Sequence, residues 1–344
     1  MGAVPLVRVV RGGLTESVHS GHVAVCDAHG NLVAWAGDPE RMIYARSCMK
    51  PLQATVSLTA IAEALPDREV AVIAASHNGE PIHVGTVRAV LERAGLDVDD
   101  LRNPPGWPLD AESMAASQHT HKLLHNCSGK HAGMLLACVR AGWDPATYLR
   151  ASHPLQRRVT RLVQRVTGIK DLTMGVDGCG VPVHGMPLRS MATLFARLTA
   201  PERLGDVAPA ADRVTEAMLF EPYLVGGRHR VDTDVMRITG DVVVKSGAEA
   251  LECAAVMSSG LGVAVKIDDG GSRASAPALI HVLRQIDGLT AAHLREVAFH
   301  ASPPVLGGGK PVGSLETVFD LRQGRKKGGR KSGKGPASAT RSRA

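Results

Sequence analysis

Strand-like runs stand at both ends of this chain, and helical patterns fill the interval between them. Residues 6–11, 22–27 and 32–37 are apolar, Val-rich runs of strand length, with Ala28-His29-Gly30-Asn31 as a hairpin turn between the second and third. Strands return at 241–246 and 261–267. Helices are expected at 48–64, 81–95, 128–141, 154–167, 187–198, 207–219, 232–239, 273–286 and 291–298. A sheet supplied from both ends must sit at the centre of the molecule. The expected fold class is therefore α/β of the α+β kind, with a central, mainly antiparallel sheet flanked by helices. The hairpin spacing disfavours a doubly wound parallel sheet.

The net charge of +7 over 344 residues is misleading. Nine of the 40 basic residues lie in 322–344 with no acid among them, leaving 31 against 33 acids in the remainder. The expected organisation is one catalytic domain over 1–321 and a basic, disordered tail over 322–344. The tail can bind polyanions weakly. The near-neutral domain, with aromatics at only 3%, lacks the stacking surface that single-stranded nucleic acid needs, and no specific nucleic-acid partner is expected. Gly307-Gly308-Gly309-Lys310 lacks the rest of a phosphate loop, and Asp268-Asp269-Gly270 reads as a turn. The beginning of the chain has no basic segment followed by a long apolar run, so no export signal is expected. No apolar stretch approaches the roughly 18 residues of a membrane span. Six scattered cysteines fit a reducing, cytoplasmic setting without a disulfide framework.

Arg46-Ser47-Cys48-Met49-Lys50-Pro51 sets a serine and a lysine three positions apart at the expected start of a helix. Such positions share one helical face, so the hydroxyl and the amine can touch. A neutral amine can take the serine's proton, and burial or a helix N-terminus lowers a lysine's pKa. Ala75-Ser76-His77-Asn78 follows the apolar run 70–75, which reads as a buried strand or a helix end. Lys245-Ser246-Gly247 closes a β-branched run. Taken singly, these are also what a helix start, a loop-capping serine and a solvated strand end contain. In this order they form the motif set of the serine β-lactamases and penicillin-binding proteins.

Asn126-Cys127-Ser128-Gly129-Lys130-His131 and Asp177-Gly178-Cys179-Gly180 make a second constellation, each with a cysteine on a glycine-rich turn. Two thiolates and a nitrogen suit Zn²⁺ better than Mg²⁺ or Ca²⁺. Spacing alone selects Cys127, His131 and Cys179, with two free buried thiols as the alternative. Asp177 can accept an α-ammonium and Arg46 can clasp a carboxylate, which together describe an amino-acid substrate.

With these residues in view, the chain resembles the asparaginase II family, the thermolabile Rhizobium-type L-asparaginases. The resemblance runs from about Leu6 to Leu321 and includes Arg11-Gly12-Gly13, Arg46-Ser47-x-x-Lys50-Pro51, Ala75-Ser76-His77, Asn126-Cys127-Ser128-Gly129-Lys130-His131, Asp177-Gly178-Cys179 and Lys245-Ser246-Gly247. It implies a serine β-lactamase-like sandwich, a homodimer, and hydrolysis of L-asparagine to L-aspartate and ammonia. It also implies two Ser–Lys tandems, Ser47 with Lys50 and Ser76 with Lys245. Zinc would sit on Cys127, Lys130 and Cys179, so Lys130 replaces His131 as the third donor. His131 would then either lie behind the metal ligands or face the substrate, and Arg46 and Asp177 would lie near the substrate pocket. Three rivals stay open: a glutaminase-like serine amidohydrolase, a zinc-binding protein without amidase activity, and a zinc hydrolase whose metal activates water.

Overall fold

A computed structural model describes residues 2–324. Its strands are β1 (Val4–Arg11), β2 (Leu14–Asp27), β3 (Leu32–Ala36), β4 (Met42–Tyr44), β5 (Thr173–Val176), β6 (Pro182–Pro187), β7 (Val242–Gly247), β8 (Leu251–Val256), β9 (Leu261–Ile267), β10 (Pro304–Gly307), β11 (Lys310–Thr317) and β12 (Arg322–Gln323). The helices begin with α1 (Lys50–Leu58), α2 (Asp67–Ile73), α3 (Pro81–Ala94), α4 (Ala111–Ala116), α5 (Ser128–Arg140) and α6 (Pro154–Thr167). They continue with α7 (Leu188–Leu198), α8 (Ala208–Phe220), α9 (Pro222–Val225), α10 (Val231–Thr239), α11 (Ser275–Gln285), α12 (Ala291–Glu296) and α13 (Ala298–Ala301).

The architecture is mixed α/β with a large antiparallel sheet, as expected. Its strand order is β10-β11-β1-β2-β9-β8-β7, with β3 against β2 and β12 against β3. The long β2 makes this branching possible: its first half pairs with β1 and its second half with β3, while β9 runs along the other edge. A small second sheet orders β4-β6-β5. Helices α7 and α11 pack on the large sheet, and α1, α2, α3, α5 and α8 pack against one another beside it. No helix among the described residues is long and apolar enough to cross a membrane.

Several elements differ from expectation. Helix α1 ends at Leu58 rather than running to residue 64. Thr55, Ser57 and Thr59 each turn a hydroxyl back onto a carbonyl of the preceding turn, which weakens helix continuation. The run 70–75 belongs mostly to α2 and is a helix end, not a strand. Strand β8 carries no alternation because every residue in it is buried, so its pattern is silent. Strand β6 contains Pro and Gly, which read as loop. Arg322 and Gln323, placed in the tail by composition, pair with Trp35 and Ala34. The paired chain thus passes the expected boundary at 321, because an open strand edge accepts any extended segment. The rest of the expected disordered tail lies outside the described residues.

One packing contact is close enough to test. A Cβ on Gly262 of β9 would lie 2.0 Å from the Ala192 carbonyl oxygen and 2.2 Å from the Ala196 nitrogen of α7. Both are helix backbone and cannot yield without moving α7. Gly262→Ala is therefore expected to destabilise the protein by about 3 kcal/mol, read as a lower urea midpoint at unchanged slope.

Candidate active site

Ser47 lies on a short 3₁₀ turn, Arg46–Met49, that runs directly into α1. The turn is anchored by the Ala45 N–H donating to the His184 carbonyl at 3.0 Å and by the buried Cys48 thiol donating to the Lys245 carbonyl at 3.0 Å. A Cβ on Gly247 would come within 2.9 Å of the Cys48 sulfur, so the glycine of Lys245-Ser246-Gly247 is what lets β7 approach the turn. Arg46 has φ of +43°, in the left-handed region, a strained state for a non-glycine residue. It is held there by its Nε donating to Asp177 Oδ1 at 2.8 Å. Asp177 opens the turn between β5 and β6. The two residues expected to receive opposite ends of an amino acid are thus paired with each other.

Lys50 opens α1 and is almost wholly buried. Its Nζ donates to the Ala75 carbonyl at 2.6 Å, Ser76 Oγ at 2.8 Å and the Asn126 carbonyl at 3.1 Å. Three acceptors match the three protons of an ammonium. Burial nevertheless draws its pKa down to about 8. Ser47 Oγ, half-buried, has no hydrogen-bond partner among the described residues. Ser47 and Lys50 are thus not hydrogen-bonded to each other; the serine bonded to Lys50 is Ser76.

Lys245 is not bonded to Ser76 either. Its Nζ donates to the Ser246 carbonyl at 2.8 Å and lies 3.4 Å from Asp232 Oδ1. Asp232, at the start of α10, is fully buried and also accepts from the Ser246 N–H and hydroxyl, both at 2.6 Å. Arg230 bridges the two lysine centres. Its Nη1 lies 3.4 Å from the Ser76 carbonyl and 3.3 Å from Asn78 Oδ1, and its Nη2 lies 3.6 Å from Asp232. Burial alone would raise the Asp232 pKa, but Lys245 and Arg230 overcome it and hold it at about 2.

Opposite Ser246 on β8 stands Glu252, buried, with Oε1 accepting from the Ser275 hydroxyl at 2.9 Å and Oε2 without a partner. Burial, assisted by the Asp232 charge, raises its pKa from the ordinary 4.5 to about 7. A folded-state pKa above the unfolded one means that protonation favours folding. That contribution is complete below the unfolded value and is lost as pH climbs through about 7. Stability is expected to fall by about 3 kcal/mol between pH 4 and pH 8 from this group. Urea titrations of Glu252→Gln should lack that fall, and an equal slope in both proteins would exclude Glu252 as its source.

The second constellation also converges. Cys127 caps the N-terminus of α5 and Lys130 follows in its first turn. Lys130 Nζ donates to Cys179 Sγ at 2.9 Å. The neighbouring Cys179 thiol draws Cys127 well below the ordinary thiol range, while Cys127 and burial push Cys179 above it. Lys130 stays charged, since the neighbouring thiols outweigh its burial. His131 does not join them. Its Nδ1 meets the Tyr148 hydroxyl at 2.6 Å, an oxygen that also accepts the Arg102 N–H, which leaves the ring one further nitrogen, Nε2. This Nε2 is buried without a partner. Among the described residues no three of His, Cys, Asp and Glu are grouped for a metal ion. The His131-containing set drawn from spacing is thereby set aside. Two thiols and an amine do suit zinc, with Lys130 against Cys179 and Cys127 in electrostatic reach of both, provided the metal displaces the lysine proton. Gly129 serves packing: a Cβ there would meet the Val72 carbonyl oxygen at 2.1 Å, where α5 crosses α2.

No curated protein matches the chain. Among solved structures it is similar to a β-lactamase from Mycobacterium bovis at 14% identity and a TM-score of 0.42, over 77% of this chain and 94% of that one. It is also similar to a probable glutaminase from Bacillus subtilis complexed with 6-diazo-5-oxo-L-norleucine, at 11% identity and a TM-score of 0.41, over 78% of this chain and 84% of that one. A simvastatin synthase from Aspergillus terreus gives 11% identity and 0.41, over 77% and 93%. Likenesses at these scores carry no inference about this chain. The model of the L-asparaginase II family matches residues 7–317, nearly the whole chain, and the protein therefore belongs to that family of hydrolases acting on amides.

Proposed function

We infer that the protein hydrolyses L-asparagine to L-aspartate and ammonia by serine acyl transfer. The observation that carries this reading is Lys50, a buried amine at 2.8 Å from Ser76 with its pKa drawn down to about 8, one helical turn from the free hydroxyl of Ser47. In its neutral form Lys50 takes the proton of Ser47, whose oxygen bonds to the side-chain amide carbon. The carbon–nitrogen bond then breaks, and the proton passes from Lys50 through Ser76 to the leaving ammonia. Water enters by the reverse relay, releasing aspartate and restoring Ser47. The Arg46–Asp177 pair supports an α-amino-acid substrate. A zwitterion offers each partner a replacement, its carboxylate for Arg46 and its ammonium for Asp177. Lys245, fixed by Asp232, supplies a buried positive charge near the relay. Zinc on Cys127, Lys130 and Cys179 would supply a fixed charge in the pocket wall.

The contact between Lys50 and Ser76 favours a second reading in which Ser76 is the nucleophile. Ammonia release from L-asparagine, L-glutamine and D-asparagine on wild type, Ser47→Ala and Ser76→Ala separates the two. The first reading expects release from L-asparagine, abolished in Ser47→Ala, with an acyl adduct trapped on the peptide holding Ser47. Near-normal turnover in Ser47→Ala moves the nucleophile to Ser76. Release from glutamine in preference to asparagine reassigns the substrate. No release from any of them sinks the proposal. Metal analysis is expected to find about one zinc per chain, lost in Cys179→Ser.

A further inference from the structure

A cavity of about 740 Å³ lies far from the serines, between α1, α6 and the 3₁₀ segment Pro201–Val207. Its floor is apolar, made of Val56, Leu162 and Val207, and its wall carries Arg158, Arg161 and Arg165. These stand at i, i+3 and i+7 on α6, so they form one stripe rising about 10 Å along the helix. Only one carboxylate, Asp206, lines the cavity, and it bonds Arg165 at 2.6 Å. Among the described residues Arg161 has no hydrogen bond or ion pair, and Arg158 has none either: it stacks on Trp143, 4.8 Å from the ring centroid, and acts on Asp206 through its charge alone. Uncompensated guanidiniums around one concavity raise the local concentration of anions and clasp oxyanions in bidentate fashion.

We propose that this cavity is a binding site for a small linear polyanion of the phosphoanhydride class. A single phosphate reaches one or two of the three guanidiniums, whereas a chain of linked phosphates reaches all of them. The mouth continues through Thr59 and Asp206 into a second hollow of about 490 Å³ with apolar walls at Leu58, Ile61 and Leu65, which has room for an uncharged part of the ligand.

The test is titration of the full-length protein with inorganic phosphate, pyrophosphate and triphosphate, followed by calorimetry and by tryptophan emission. Triphosphate is expected to bind tightest, about tenfold or more above phosphate. Binding is expected to change Trp143 emission, because Arg158 leaves the ring, and Trp143→Phe should remove that change. The double substitution Arg158→Ala with Arg161→Ala is expected to weaken triphosphate about tenfold or more. Arg157→Ala, the loss of one positive charge at an exposed position of the same helix outside the cavity, is expected to leave it unchanged. Equal loss in Arg157→Ala, or wild-type binding in the double variant, overturns the proposal. So does heat release without any emission change, which places the polyanion on the basic tail.

Discussion

Lys50→Met is expected to lower ammonia release from L-asparagine by about 10²- to 10⁴-fold while the protein stays folded. Methionine fills the same buried volume and carries no charge to desolvate, but it leaves the Ala75 and Asn126 carbonyls and the Ser76 hydroxyl without their donor, so the near-UV spectrum should stay close to wild type while the unfolding midpoint drops modestly. The wild-type rate should rise by about tenfold per pH unit below the pKa of Lys50 and level off above it, because only the neutral amine accepts a proton. With that pKa at about 8, the bend falls in a readily measured range. The variant should lose the bend along with the rate. A Lys50→Met protein that recovers activity at high pH would mean that another group, with Lys245 the nearest alternative, is the base.

Asp232→Ala is expected to cost about 3–5 kcal/mol of stability, the largest effect of any substitution at the site. The change strands the Lys245 ammonium, the Ser246 N–H and the Ser246 hydroxyl in a place without water. It also frees Arg230, which lies against Ser76 and Asn78. Asp232→Asn keeps the size and part of the hydrogen bonding but not the charge, so an intermediate loss is expected. Urea denaturation at fixed pH measures both. Wild-type stability in Asp232→Ala would show that Lys245 finds another partner and that the network is not what fixes it.

The sequence revealed the chemistry-bearing residues better than their partners. Ser47, Lys50, Ser76, Lys245 and the Cys127–Lys130–Cys179 set could be singled out as candidates because each sits in a short local pattern, and patterns of that kind survive without knowledge of the fold. The hydrogen bonds among them were not legible. Spacing of three places Ser47 and Lys50 within one turn, but only tertiary packing brings Ser76, from the segment after α2, to Lys50. Asp232 and Glu252 left no signal. They reach the site only because α10 packs on β7 and because Glu252 pairs with Ser246 across the sheet. Strands β1, β2, β3, β7 and β9 were legible from their apolar runs. The fully buried β8 was not, since it lacks the alternation that marks a half-exposed strand.

The strand order also governs when the protein can acquire its activity. The first strands pair with the last: β1 lies against β11, joining Val9 to Leu315, and β2 lies against β9, joining Val23 to Val265. Contacts so distant along the chain close loops of great length, which slows folding. The central sheet cannot form while the ribosome is still making its far half. Lys50 belongs to the early part of the chain and Lys245 to the late part, so a nascent or prematurely ended polypeptide holds half a relay. Such a fragment exposes the unpaired edge of β2, an invitation to aggregate until β9 arrives.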